Sequence, residues 1–325
     1  MRFRRRFPAR RRALAVMTFT AMPIVVMAIA TTSSSAATAG YPARYSAPYL
    51  QVAKGDVGDM SADMKASGTK DYTLAFLTPK SGCTPQWEDN GDALGAFTSQ
   101  VQSLQNAGGN VIISFGGASG GELAVTCTSV SSLKNAYANV VNTYGVTRLD
   151  FDIEGNTLNH TMANSRRNQA LAALQQADSA VTVDYTLAVN PNGLPPSEVN
   201  LLKNAVSAKV NVNLVNIMVM DFGSGQNVLS DAESAAKATV TQMESIFGIS
   251  ATQAWNKLGL TPIAGKNDDD ENFTLPNANT LESFAASNGV QELAFWEVDS
   301  KDKPLGYTYS GVFNAITSGV GSGGS

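Results

Sequence analysis

Asp150, Asp152 and Glu154 are spaced two apart in the run Asp150-Phe151-Asp152-Ile153-Glu154. On a β-strand successive side chains point to opposite faces, so the three carboxyls share one face. Acids crowded on one face cannot all ionise freely, and at least one is expected to have a raised pKa. A protonated carboxylic acid beside an ionised carboxylate is what cleavage of a glycosidic bond requires. The competing reading is an edge strand with a solvated acidic face. Against it, Val146–Leu149 leads in as a strand and Gly155-Asn156 ends the run abruptly.

Positioning such acids requires a scaffold, and the apolar pattern supplies one. Short apolar runs at Tyr45–Val52, Tyr72–Leu77, Val111–Phe115, Arg148–Ile153, Thr182–Val189, Val215–Met220, Gly259–Ile263 and Glu292–Trp296 read as strands. Between them lie Ala-rich helical patterns at Ala93–Ala107, Ser131–Tyr144, Asn164–Ala177, Ser197–Ala208, Asp231–Phe247, Asn279–Ser287 and Ser310–Ile316. Several begin with Ser, Asp or Asn, the residues that cap helix N-termini. Repeated strand–helix alternation implies a parallel sheet, and eight strands imply a (β/α)8 TIM barrel with its site at the C-terminal strand ends. A doubly wound open sheet is the alternative, but no glycine-rich nucleotide fingerprint follows the first strand. Lys266–Val290 is too short for a large inserted α+β domain.

The strand ends carry further chemistry. The third ends Ser114-Phe115-Gly116-Gly117, where glycines allow close backbone approach and Ser114 can hydrogen-bond a carboxylate. The sixth ends Met218-Val219-Met220-Asp221, and an acid directly after a buried apolar run is costly unless paired or functional. The eighth ends Phe295-Trp296-Glu297; Trp296 is either a flat floor for a sugar ring or core packing. Trp87 either extends a sugar-binding groove or packs in the core. His160 stands alone and supports neither a metal site nor a serine triad. Asp268-Asp269-Asp270-Glu271 reads as a solvated acidic face and lacks the alternating spacing of a calcium loop.

Composition narrows the setting. Seven arginines in residues 1–12 precede an apolar stretch at 13–30 and a small-residue cleavage site at Ala37-Thr38-Ala39. Residues 1–39 therefore read as a signal peptide, with a partial twin-arginine character at Arg4-Arg5-Arg6-Phe7, and export to the extracellular space is expected. Removing them leaves 16 basic against 27 acidic residues, a net charge of −11. Such a surface disfavours nucleic acid and anionic membranes as partners and suits neutral polymers. Residues 40–318 form the expected single catalytic domain, and 319–325 a flexible Gly/Ser tail. In an exported protein, Cys83 and Cys127 most simply form one disulfide joining two neighbouring loops, with two free thiols as the alternative.

Taken together, Ser-x-Gly-Gly at Ser114–Gly117, Asp-x-Asp-x-Glu at Asp150–Glu154, Met-x-x-Asp at Met218–Asp221 and Trp296 resemble the family 18 glycoside hydrolases, chitinases above all. The resemblance runs from about Tyr45 to Ile316 and is nearest a bacterial and archaeal branch carrying Asp-Phe-Asp-Ile-Glu-Gly. It implies that Glu154 is the general acid, that Asp152 orients the substrate's acetamide, and that Asp150 shares a proton with Asp152. Asp221 would hydrogen-bond the acetamide of the distorted sugar, and Trp296 would lie under that sugar. Ser114, Gly116, Gly117, Met218 and Met220 would complete the substrate site. The implied activity is retaining hydrolysis of chitin and chito-oligosaccharides by a monomer without a cofactor. An endo-β-N-acetylglucosaminidase acting on N-glycans would share this chemistry, and a non-catalytic carbohydrate-binding protein would share the fold. Two positions depart from the family pattern. Thr147 stands where a further Asp is usual, and Met220 where a Tyr holds the acetamide oxygen; Tyr185 is a candidate to replace that phenol.

Overall fold

The computed structural model describes residues 40–52, 60–88, 91–119, 121–223 and 225–318. The leader and Gly/Ser tail expected from the sequence lie outside the described residues. The strands are β1 (Tyr45–Ser46), β2 (Tyr49–Gln51), β3 (Asp71–Ser81), β4 (Thr84–Trp87), β5 (Asn110–Gly116), β6 (Arg148–Asp152), β7 (Thr182–Ala188), β8 (Val212–Met218), β9 (Leu258–Thr261), β10 (Gly265–Lys266), β11 (Asn272–Phe273) and β12 (Glu292–Leu293). The α-helices are α1 (Met60–Ser67), α2 (Thr98–Asn106), α3 (Leu123–Thr126), α4 (Val130–Tyr144), α5 (Thr161–Ala177), α6 (Pro196–Ser207), α7 (Val228–Phe247), α8 (Ala251–Trp255), α9 (Leu275–Asn288), α10 (Thr308–Phe313) and α11 (Ala315–Ser318).

The sheet runs in the order β1-β12-β9-β8-β7-β6-β5-β3-β2, and every pairing along that path is parallel. β1 and β2 are two pieces of the first strand, interrupted at Pro48. One piece pairs with the last strand and the other with the second, which closes an eight-stranded (β/α)8 barrel. Closure leaves the barrel no open edge. The expected strands and helices appear within a few residues of their sequence positions. The additions are helix α1, the β3–β4 hairpin, the short helices α3 and α8, and the β10–β11 ribbon.

Local sequence sets the boundaries. Ser129 accepts from the Ser132 amide to begin α4, Asn227 from Ser230 to begin α7, and Thr274 from Asn277 to begin α9. Each of these helices ends on a glycine in the left-handed conformation, the geometry that costs glycine least.

Alternation along each strand divides the core in two. Phe115, Phe151, Tyr185 and their outward-facing neighbours pack against the helices. Inside the barrel, Tyr45, Ala47 and Ile112 form a lower apolar layer, and Tyr49, Ala75, Phe76 and Ala294 an upper one against Trp296. Between them lies a buried polar layer containing Asp150, Asp184, Thr186, Asn216 and Glu292. Cys83, in the β3–β4 turn, and Cys127, after α3, are joined by a disulfide that ties the two loops together. Among the described residues no helix is long and apolar enough to cross a membrane.

Candidate active site

A cavity of about 350 Å³ opens at the C-terminal strand ends and is lined by Asp152, Glu154, Trp296, Met218, Met220 and Asp221, among others. Its size lies within the range of small-molecule sites. β6 ends at Asp152, and Glu154 is the last extended residue before Gly155 turns the chain with φ 51°. Strand alternation carries Asp150, Asp152 and Glu154 up one side of the barrel interior, from polar layer to cavity.

Asp150 is buried and fully partnered. Its Oδ2 accepts from Ser114 Oγ at 2.6 Å and from the Tyr49 hydroxyl at 3.3 Å, and its Oδ1 from Thr186 Oγ1 at 2.8 Å. Burial still pushes its carboxyl up to about 7, with the charge of Asp184 adding to the rise and the hydroxyl donors opposing it. The Tyr49 oxygen also contacts Thr186 Oγ1 at 2.9 Å. Asn216 Nδ2 donates to Thr186 Oγ1 at 3.1 Å, and Thr261 Oγ1 donates to Asn216 Oδ1 at 2.8 Å. Residues of five strands, β2, β5, β7, β8 and β9, thus form the network that holds the acid below Asp152.

Asp152 and Glu154, two residues apart at the end of β6, perturb each other's titration. Burial raises the Asp152 carboxyl well above its ordinary value, and the neighbouring charges of Glu154 and Asp150 raise it further. Glu154 is raised by its lesser burial. Burial thus favours a proton on this pair, more strongly on its deeper member.

The glycines after β5 are steric necessities. Gly116 pairs in register with Asp152, and a Cβ there would overlap the Asp152 carbonyl oxygen. That same oxygen accepts from the Gly117 amide at 3.0 Å, and a Cβ on Gly117 would lie 2.6 Å from the Phe76 ring. Phe76 stacks on Trp296 with ring centroids 5.6 Å apart and planes 11° apart, and Tyr49 flanks Trp296 at 5.7 Å. Trp296 is half-buried and forms one apolar wall of the cavity.

Asp221 lies beyond the end of β8, exposed, at φ 50°. It lines the cavity, and its Oδ1 accepts from the backbone amides of Asp268 and Asp269 at 2.9 and 3.2 Å. Burial nudges its carboxyl upward while those amides pull it down. The acidic run that read as a solvated face has a different arrangement. Glu271 accepts from the Phe222 amide, Asp269 from Gly223 and Asp270 from Gly225, so three acids clamp the loop that carries Asp221. The reason is local: that loop turns its backbone donors toward the acids, which no spacing rule foretells.

Two expected substrate contacts lie elsewhere. Trp87 is fully buried; its indole N–H donates to the Tyr144 hydroxyl at 2.9 Å and to the Leu94 carbonyl at 3.2 Å. Tyr185 is also fully buried and donates to Asn168 Oδ1 on α5. Asp184 and Thr186 point into the barrel, so alternation sends Tyr185 outward to the helices. Among the residues lining the cavity, Tyr49 is the one tyrosine. Tyr49, Phe76 and Thr186 were not legible as site residues. Their only sequence signal is position at the cavity ends of three strands, which requires the register to be known.

This arrangement on a closed parallel barrel defines a glycosidase-type site, and the chain's relatives agree. Residues 44–299 match glycosyl hydrolases family 18, and the chain belongs to that family. It is 30% identical over 299 residues to a probable bifunctional chitinase/lysozyme of Escherichia coli (strain K12), covering 85% of this chain and 33% of that protein. It is 29% identical over 284 residues to endochitinase 11 of Metarhizium anisopliae, covering 82% of this chain and 54% of that protein. The chain thus spans a third and about half the length of these two relatives. Active domain 2 of the thermostable chitinase from Pyrococcus furiosus, solved as catalytic-site mutants complexed with chito-oligosaccharides, superposes with a TM-score of 0.76. It is 29% identical, with 88% of this chain and 98% of that one covered.

Proposed function

We propose that this chain is a secreted chitinase that hydrolyses β-1,4 bonds between N-acetylglucosamine units with retention. The observation that carries the reading is the placing of Asp152 and Glu154 together at one cavity, set against Trp296 and backed by the partnered Asp150. As the acetamide N–H engages Asp152 and stabilises its anion, the pair's proton passes to Glu154, the cavity-side acid, which donates it to the glycosidic oxygen as the C1–O bond breaks. The substrate's acetamide oxygen attacks C1 from the opposite side and forms an oxazolinium ion, so no protein nucleophile is required. Asp152 accepts from the acetamide N–H and its negative charge offsets the developing cation. Water then attacks C1, Glu154 takes its proton, and the product keeps the original anomeric configuration.

Two carboxyls adjacent on one strand support this route, because both approach from the same side of the sugar. A chitosan-like sugar lacking the acetyl group could not react this way. The solved chito-oligosaccharide complexes of the Pyrococcus relative support the substrate class. Secretion rests on the basic–apolar–small pattern of residues 1–39 and on the acidic remainder.

The test pairs the protein with its Glu154→Gln variant on chitin oligomers and on a high-mannose glycopeptide. The expected result is cleavage of the chitin oligomers only, lost in the variant, which still binds them. Cleavage of the glycopeptide alone would make this an endo-β-N-acetylglucosaminidase. Binding without cleavage by either form would make it a carbohydrate-binding protein.

A further inference from the structure

We propose that Gln51 is a substrate-binding residue whose side-chain amide donates to the acetamide carbonyl oxygen of the reacting sugar. The inference rests on the chitinase reading of the site and begins from alternation on β2. Leu50 packs into the helix-side core, whereas Tyr49 and Gln51 face the barrel interior. The Tyr49 hydroxyl crosses the barrel to Asp150. Gln51 lies two residues further along its strand, about 7 Å higher, as Asp152 does above Asp150. In register Gln51 pairs with Ala75, next to the Phe76 ring that stacks on Trp296. Gln51 is half-buried and lines the cavity together with Asp152, Glu154 and Trp296. Its side-chain amide has no hydrogen-bond partner among the described residues.

The cavity is rich in acceptors and poor in donors. Asp152, Glu154, Asp221 and Asp268 offer carboxyl oxygens, and among the described residues no lysine, arginine or histidine lines it. Its deeper hydroxyls are already engaged. Thr186 donates to Asp150, Thr261 donates to Asn216, and Tyr49 contacts both Asp150 and Thr186. Ser119 is exposed to solvent. The proton of the carboxyl pair goes to the glycosidic oxygen, and a Trp296 ring that faces the sugar keeps its N–H in the ring plane. Sugar hydroxyls can donate to any of these carboxyls. The acetamide carbonyl oxygen can only accept, and Met220 offers it no proton. Gln51 is the one side-chain amide in the lining, with two N–H donors. A donor fixed on the strand beside Trp296 would hold that oxygen in place for its attack on C1.

The test measures binding by calorimetry in the Glu154→Gln background, where the ligand is not turned over. The ligands are chitin oligomers and fully deacetylated oligomers of the same length. Adding Gln51→Met should weaken binding of the acetylated oligomers roughly ten- to hundredfold and leave the deacetylated ones within about twofold. Gln51→Glu is nearly isosteric but accepts only. It should weaken the acetylated oligomers at least as much and tighten the deacetylated ones, whose ammonium groups it attracts. Equal weakening of both ligands by Gln51→Met would place Gln51 on a sugar hydroxyl and overturn the proposal. Unchanged affinity for the acetylated oligomers in either folded variant also overturns it. Turnover separates this from the wider reading. Wild type that leaves chitin oligomers uncut overturns the chitinase reading and this assignment with it. Wild-type cleavage that Gln51→Met matches in kcat/KM overturns this assignment alone.

Discussion

The α-carbon of Gly116 lies against the carbonyl oxygen of Asp152, and the next amide, from Gly117, donates to that oxygen. Gly116 has φ 104°, so two demands meet at one residue: a left-handed backbone and no side chain. Gly116→Ala should therefore move the strand end that carries Asp152 and Glu154, not merely strain a loop. The positive φ alone costs an alanine about 1–2 kcal/mol, and the overlap with the carbonyl adds to it. The expected outcome is a melting temperature lower by several degrees and at least a tenfold loss of kcat, read by calorimetry and by oligomer hydrolysis. An alanine variant with wild-type melting and turnover would remove Gly116 from the positioning of the acids.

Tyr185 and Trp87 separate packing from binding. Both are fully buried and hydrogen-bonded on the helix side of the barrel, Tyr185 to Asn168 and Trp87 to Tyr144 and Leu94. Tyr185→Phe should lower stability by about 1 kcal/mol, the worth of a buried hydrogen bond, and leave KM for chitin oligomers unchanged. Trp87→Phe should cost more, since it also opens a cavity beside Phe97 and Tyr144. Denaturant melts and steady-state kinetics on the same preparations decide it. A rise in KM with unchanged stability would place either ring back at the substrate.

These two residues also show where sequence reading stops. The strand positions, the parallel barrel and the acids at Asp150, Asp152 and Glu154 follow from alternation and spacing, because a period of two on buried strands leaves little choice. Which face an isolated aromatic takes depends on register and on loop path. Trp87 sits on a hairpin strand, β4, that no sequence pattern announces, and Tyr185 has the chemistry for the site but the parity on β7 that faces the helices. Tyr49 is the converse. It belongs to an irregular first strand broken at Pro48, yet its hydroxyl reaches Asp150 across 101 residues of chain. The loop acids Asp269, Asp270 and Glu271 clamp the Asp221 loop only in three dimensions, since the loop amides they accept from lie 45 to 49 residues away.

Glu292 tests the polar layer beneath the site. Its Oε2 accepts from the Tyr45 hydroxyl at 2.6 Å, and Arg148, paired to Asp184 at 3.7 Å, donates to that same hydroxyl. Burial, with the charges of Asp184 and Asp150, pushes Glu292 up to about 8 from an unperturbed 4.5. The sign follows from linkage. Below the unperturbed value both folded and unfolded chains carry the proton, and its stabilising effect is complete. Between 4.5 and about 8 only the unfolded chain ionises, so stability falls as pH rises, at up to about 1.4 kcal/mol per unit. Asp150, raised to about 7, adds to the same fall. Glu292→Gln keeps an oxygen acceptor for Tyr45 and cannot ionise. Its melting temperature should therefore decline less steeply than wild type between about pH 5 and pH 8, with the variant gaining most at the alkaline end. Parallel melting curves for the two proteins across that range would show that Glu292 is already ionised in the folded barrel. Arg148 would then be its effective counter-charge, in place of a proton.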